Sequence, residues 1–248
     1  MSKELLLNRE LSWIAFNERV LYECFDRSLP LSDRLKFSAI FSNNLDEFYM
    51  IRVGGLVDQV FAKYTEKDYS GLRPQEQLNK IRQRVLELTA LQSYLTQRML
   101  DVDLREKNIS VISLSDLNSL QHQALERYYV ERIFPVLTPM AIDFGRPFPL
   151  VLNKSLNIIA KIQSDEDKYV AIQVPSVLPR LVPIACESDC YLLLEDVIIH
   201  FLSYLFDGLK PVKVGQFRVT RNGDLRLHGE VAEDLLSVIE QSLRQRKW

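Results

Sequence analysis

The apolar residues of this 248-residue chain change their spacing near residue 107, and no other feature constrains the fold as strongly. Before that point they recur by threes and fours, the signature of helices that bury one face. In Leu11–Phe25 the series Leu11, Trp13, Ile14, Phe16, Val20, Leu21, Cys24 and Phe25 marks one such face, with Ser12 and Asn8 equally good caps. Pro30 enforces a break. A second pattern opens at Ser32 and runs through Leu35, Phe37, Ile40 and Phe41, and a third spans about Leu45 to Tyr64. Thr65–Pro74 is polar and reads as a loop. From Pro74, a good first-turn residue, a long pattern continues to about Glu106 through Leu78, Ile81, Val85, Leu88, Leu91, Leu95 and Met99. The expectation is an antiparallel helical bundle or hairpin.

After Asn108 the pattern becomes mixed. Val111–Leu114 is short and β-like, and Ser115 opens a helix through Leu125, Tyr128 and Ile133. The connection Phe134–Pro149 then carries four prolines, which fit neither a helix interior nor a central strand. Alternating β-branched segments follow at Leu156–Gln163, Tyr169–Val174, Val212–Thr220 and Leu225–Leu227, with Asn222-Gly223 a hairpin turn signal between the last two. Helices fit Glu195–Phe206 and Val231–Arg246. The fold class is therefore α+β: a helical bundle over residues 1–106, then an α+β domain with a mainly antiparallel sheet over 107–248.

Charged residues make up 26% of the chain and the formal net charge is −2. So even a balance argues against a dedicated nucleic-acid binder, while leaving room for a local basic patch. No apolar run approaches the ~20 residues of a membrane span, and the opening residues become polar too early for a secretory signal. Cys24, Cys186 and Cys190 read as reduced thiols of a cytosolic protein. Cys186 and Cys190 lack the second Cys or His pair that a zinc knuckle needs.

Signatures of phosphate chemistry are absent. No glycine precedes a lysine, so there is no P-loop, and no G-x-G-x-x-G occurs. Gly54-Gly55 lies inside a helical pattern and reads as a close approach of a neighbouring helix. His122, His200 and His228 are scattered, and a catalytic histidine needs an orienting partner that sequence distance does not supply. Asp165–Asp167 reads as a solvated hairpin tip.

Two segments are unusual for a plain core. In Phe41–Tyr49 the pair Asn43-Asn44 separates two helical patterns, with Asp46 and Glu47 in the first turn of the next. Capping is the preferred reading on the residues alone. Capping needs one Asn, however, and a carboxamide presents a donor and an acceptor that also suit the edge of an adenine ring. The second segment is Thr138–Pro149, containing Asp143 and Arg146, which reads as a rigid strap between domains or as a docking surface.

At these places the chain resembles a known family. Asn8–Leu21 (NRELSWIAFNERVL), Phe41–Val53 (FSNNLDEFYMIRV), Phe134–Asp143 (FPVLTPMAID), Pro147–Pro149, Asn153–Leu156 and Phe217–Asn222 (FRVTRN) are similar, in order and spacing, to the polyphosphate kinases of the histidine-phosphorylating bacterial type. The resemblance covers essentially the whole chain. It implies reversible transfer of the terminal phosphate of ATP to inorganic polyphosphate through a phosphohistidine, with Mg²⁺. It also implies a helical N-terminal domain (1–106) that covers the adenine, a head domain (107–248) truncated at its end, and two further C-terminal catalytic domains related to the phospholipase D fold. The second Asn of the S-N-N-L-D-E-F segment is the family's nucleotide contact, which places that role on Asn44. The phosphorylated histidine of the family lies in an H-x-K motif. Here His122, His200 and His228 are followed two positions on by Ala124, Leu202 and Glu230.

The expectation is that these 248 residues hold no catalytic residue and no metal ligand, and that the chain, which stops within a predicted helix, is an inactive fragment of the enzyme. Implied partners are ATP or ADP, polyphosphate, a second copy in a homodimer, and the chain's own catalytic domains, with no nucleic acid. The implied location is cytoplasmic, with peripheral attachment to the inner membrane left open. The alternatives are a non-catalytic dimerisation or interaction module, or a free-standing protein that has lost the catalytic half.

Overall fold

The computed structural model describes residues 6–142, 148–163, 168–186, 189–206 and 211–223. Its contacts fall into two units, one running through Asp103 and including residues 220–223, the other Leu104–Val219. The fold is a mixed α+β one, and no helix among the described residues is long and apolar enough to cross a membrane.

The first unit is built from helices. Helix α1 (Arg9–Tyr22) starts at Asn8, whose Oδ1 accepts the Leu11 N–H at 2.9 Å. Of the two candidate caps it is therefore Asn8 that acts, while the Ser12 hydroxyl donates back to the Asn8 carbonyl. Helix α2 (Leu31–Phe48) follows Pro30 without interruption at Asn43-Asn44. This corrects the expected break, and with it the capping reading of the pair. Phe41, Leu45 and Phe48 bury one continuous stripe of α2. That gain outweighs the roughly 0.5 kcal/mol by which each Asn disfavours a helix. Asp46 and Glu47 accordingly lie in the last turn of α2, not the first turn of another helix. Regular geometry gives way only afterwards, in a π turn at Tyr49–Val53 that leads into α3 (Gly54–Phe61).

Gly54 meets a different neighbour than expected. A Cβ there would stand 2.5 Å from Asn222 Oδ1, whereas one at Gly55 would meet open space. Asn222 donates to Asp58 at 2.9 Å and the Gly223 N–H donates to the Met50 carbonyl at 2.7 Å. These two residues thus bind α3 and the π turn; the strand expected beyond them lies outside the described residues, as do the Val231–Arg246 helix and the acidic Asp165–Asp167 tip.

Helix α4 (Pro74–Arg98) continues through a π turn at Met99–Asp103. Its Ile81, Val85, Leu88 and Leu95 close one core with Ile14 and Leu21 of α1 and the α2 stripe. Gln92 stitches α4 to α2, donating to the Ser38 carbonyl at 2.8 Å and the Ser42 hydroxyl at 2.6 Å.

The second unit holds two sheets. Strands β1 (Ile109–Val111), β5 (Leu181–Ile184) and β6 (Asp189–Leu193) form one in the order β1-β6-β5, with β1 parallel to β6 and β5 antiparallel to it. Strands β2 (Pro139–Ile142), β3 (Leu156–Ile162), β4 (Lys168–Gln173) and β7 (Pro211–Arg218) form a wholly antiparallel sheet in the order β2-β4-β3-β7. Part of the proline-rich connection is therefore an edge strand, where Pro139 costs no ladder bond. Ile158, Ala160 and Ile162 alternate onto the buried face of β3. They pack with Leu125 of α5 (Ser119–Tyr128), Val197 and Ile198 of α6 (Leu194–His200), Leu192 of β6, and Phe201.

Candidate nucleotide site

Positions 44, 47, 48, 51 and 52 are linked across turns by spacings of three and four, so α2 and the π turn present them on a single face. Trp13 and Phe16, three apart on α1, face them. Together Trp13, Phe16, Asn44, Glu47, Phe48, Ile51 and Arg52 line a cleft of about 340 Å³. Its wall is aromatic: the Trp13 and Phe48 rings stack at 4.4 Å between centroids and 6° between planes. Phe16 and Ile51 remain about half exposed at 48% and 50%. A volume near the lower end of the about 300–1,000 Å³ typical of small-molecule sites suits a base and sugar better than a whole nucleoside triphosphate. Apolar walls with a few polar groups at fixed places are what planar heterocycles bind to.

Asn44 supplies one of those groups. Its Nδ2 donates to Asn17 Oδ1 at 2.9 Å, and Asn17 Nδ2 donates to the Phe41 carbonyl at 3.1 Å. Asn43 points outward and is exposed, so the two members of the pair differ in role. Asn17 is a site residue that motif spacing alone does not mark, although the sequence carries a signal for it. It falls in register with Ile14 and Leu21 on the buried face of α1 and is itself completely buried. A carboxamide on a core stripe needs polar partners to justify its position.

A second cleft of about 310 Å³ lies at the N-terminus of α1, lined by Asn8, Asp68 and Gln77 among others. Its polar groups already satisfy one another. Asn8 Nδ2 donates to Asp68 Oδ2 at 2.7 Å and to Gln77 Oε1 at 2.9 Å, and Asp68 Oδ1 accepts from Ser70 and Leu72. Burial raises the Asp68 carboxyl pKa, but the hydrogen bonds from Ser70, Leu72 and Asn8 outweigh it and hold the group below its ordinary value. That arrangement is a structural clasp.

In the second unit the fold joins two histidines that are 78 positions apart in sequence. His122 Nε2 and His200 Nε2 are 2.8 Å apart, with one ring edge-on to the other. Loss of water around the ring and the nearby His122 keep His200 below the ordinary histidine pKa, while Glu126 pulls the other way. His228 lies outside the described residues, as do Asp143 and Arg146. Among the described residues no three His, Cys, Asp or Glu side chains converge as metal ligands.

Known proteins resemble this chain along nearly its full length. The chain matches the family model described as the polyphosphate kinase N-terminal domain over residues 6–112, and that of the polyphosphate kinase middle domain over residues 120–248. It is 46% identical over 248 residues to a polyphosphate kinase of Halalkalibacterium halodurans, covering 97% of this chain and 35% of that protein. With a polyphosphate kinase of Bacillus anthracis it shares 47% over 251 residues, covering 97% and 36%. The crystal structure of polyphosphate kinase from Porphyromonas gingivalis superposes with a TM-score of 0.76 at 28% identity, over 96% of this chain and 37% of that one. The chain thus spans about a third of the length of the curated relatives it matches. With both domain models matched in order along nearly its full length, this chain belongs to the polyphosphate kinase family.

Proposed function

We propose that this chain is the nucleotide-covering part of an ATP–polyphosphate phosphotransferase, and that its cleft holds the adenine of ATP against Trp13, whose ring the buried Phe48 backs by stacking, with Asn44 at the base edge. The observation that carries the reading is the cleft itself: one carboxamide held among aromatic side chains, on the segment that resembles the family's nucleotide contact. Arg52 adds a positive charge to the same lining. The phosphates extend out of so small a space toward groups elsewhere in the protein.

In this reading residues 1–106 form the adenine-covering domain and 107–248 the start of the head domain, supported by the division of contacts at Asp103 and by the spans of the two family models. The phosphohistidine, the phosphate-binding arginines and the Mg²⁺ ligands belong to the catalytic domains, so Mg²⁺ is assigned no ligand among the described residues. The whole protein acts in the cytoplasm as a homodimer on ATP, ADP and inorganic polyphosphate, and the 248 residues alone do not catalyse.

The test is Asn44→Ala in the longer protein that contains this chain. Loss of one or two base contacts raises KM for ATP about tenfold while kcat changes little. An unchanged KM removes Asn44 from the site. A lowered Tm does not decide the matter, because Asn44 also satisfies Asn17, and losing that bond costs about 1 kcal/mol under either outcome.

A further inference from the structure

The amide orientations beside the cleft are fixed by the backbone. The Phe41 carbonyl has lone pairs and no hydrogen, so the atom of Asn17 that faces it at 3.1 Å is the amide nitrogen. Asn17 is completely buried and cannot exchange this partner for water. Its Oδ1 is thereby turned toward Asn44, and an oxygen there requires a donor, so the 2.9 Å contact is made by Asn44 Nδ2. Constraint passes from the Phe41 carbonyl to Asn17 and from Asn17 to Asn44. Rotating the Asn44 amide by half a turn would set oxygen against oxygen at that distance. Among the described residues, Asn44 Oδ1 and its second amide hydrogen have no hydrogen-bond partner within the protein, and Asn44 lines the cleft.

We infer that Asn17 is a positioning residue for purine selection: by locking the Asn44 amide it makes the cleft prefer adenine over guanine. The inference rests on the reading of the cleft as the base site. A locked amide offers Oδ1 as acceptor beside one N–H as donor. Adenine answers with its exocyclic amino group as donor beside a ring nitrogen as acceptor, a two-bond match. Guanine carries an oxygen at the exocyclic position. In the same pose that oxygen meets Asn44 Oδ1, and the reversed order at its adjacent N–H is matched only by a turned amide. An amide free to turn would accept either base; one held by Asn17 accepts one.

Trp13 stands in the cleft and reports occupancy by its fluorescence; the substitution Trp248→Phe leaves it the only indole. Titrations with ADP and with GDP are compared for this chain, for Asn17→Leu, which keeps the branched shape, adds bulk and removes the hydrogen bonds, and for Asn44→Ala. The expected result is at least about tenfold preference for ADP, falling to within about threefold in Asn17→Leu, with ADP binding weakened in Asn44→Ala. If Asn17→Leu keeps the preference while Asn44→Ala weakens ADP binding, the positioning role is wrong and the base site stands. If Asn44→Ala leaves the ADP titration unchanged, the base site itself is wrong and the inference falls with it.

Should Asn17→Leu fail to fold, side-chain amide exchange in the unsubstituted chain decides. The lock predicts slower exchange for the Asn44 amide than for exposed Asn43. Equal rates overturn the lock.

Discussion

Replacing Asn8 by alanine removes three hydrogen bonds from one junction. The Asn8 Oδ1 caps α1 through the Leu11 N–H, and its Nδ2 reaches Asp68 at 2.7 Å and Gln77 at 2.9 Å. The cap alone accounts for about 1 kcal/mol. Gln77 is only 6% exposed, so its Oε1 is left without a donor where water enters poorly, which costs about 1–2 kcal/mol more. Asp68 keeps its bonds from Ser70 and Leu72, and its share is about 0.5 kcal/mol. The total is about 3 kcal/mol, a large part of the stability of a unit this size. Asn8→Ser retains a cap oxygen and loses only the two clasp bonds, so it should fall about 1 kcal/mol short of that loss. Urea unfolding followed by Trp13 fluorescence in a Trp248→Phe background measures both in the first unit, with the midpoint lowered and the slope unchanged. A loss of about 1 kcal/mol or less in Asn8→Ala would refute the clasp, because a cap by itself explains that much.

In the second unit, Arg180 Nε lies 3.1 and 3.2 Å from the two oxygens of Glu195, whose side chain is 2% exposed. Arg180→Ala strands that carboxylate. Because the Arg180 side chain is itself 65% exposed, the expected loss is about 1–3 kcal/mol rather than the full cost of breaking a buried pair, and Arg180→Ala with Glu195→Leu recovers part of it. A thermal melt showing no loss in the single variant would mean the exposed guanidinium adds nothing. His200 makes the same unit sensitive to pH. Its pKa is lowered in the fold, so the unfolded chain takes up the proton first, and stability is full above the ordinary value of 6.5 and falls as pH drops through it toward the folded value. His200→Gln should flatten that part of the stability curve, and a curve unchanged by the substitution would count against the pair as its source.

Much of the first unit was legible because α1, α2 and α4 each bury one stripe against the same core, and local spacing reports that directly. The Asn43-Asn44 pair misleads for a physical reason. Two poor helix formers after a serine look like a cap, yet Phe41, Leu45 and Phe48 carry α2 through them and Asn17 satisfies the one amide that turns inward. Strands β5 and β6 leave little trace in the sequence because Pro183 and Asp189 weaken their patterns; β5 is an edge, where a proline costs no ladder bond. The parallel pairing of β1 with β6 joins residues 80 positions apart, and the His122–His200 contact 78, so neither leaves a local trace. Asn17 is the instructive case. A lone carboxamide in the apolar register of a helix was visible in the sequence, but only the fold shows that it faces the Phe41 carbonyl on one side and Asn44 on the other.

The most direct test of the central claim is photolabelling of the longer protein with an azido-substituted ATP, followed by mapping of the modified peptide. Labelling that unmodified ATP competes away should fall on Trp13–Phe16 or on the segment from Asn44 to Arg52. Competed label found only elsewhere, with these residues unmodified, would contradict the assignment of the cleft to adenine.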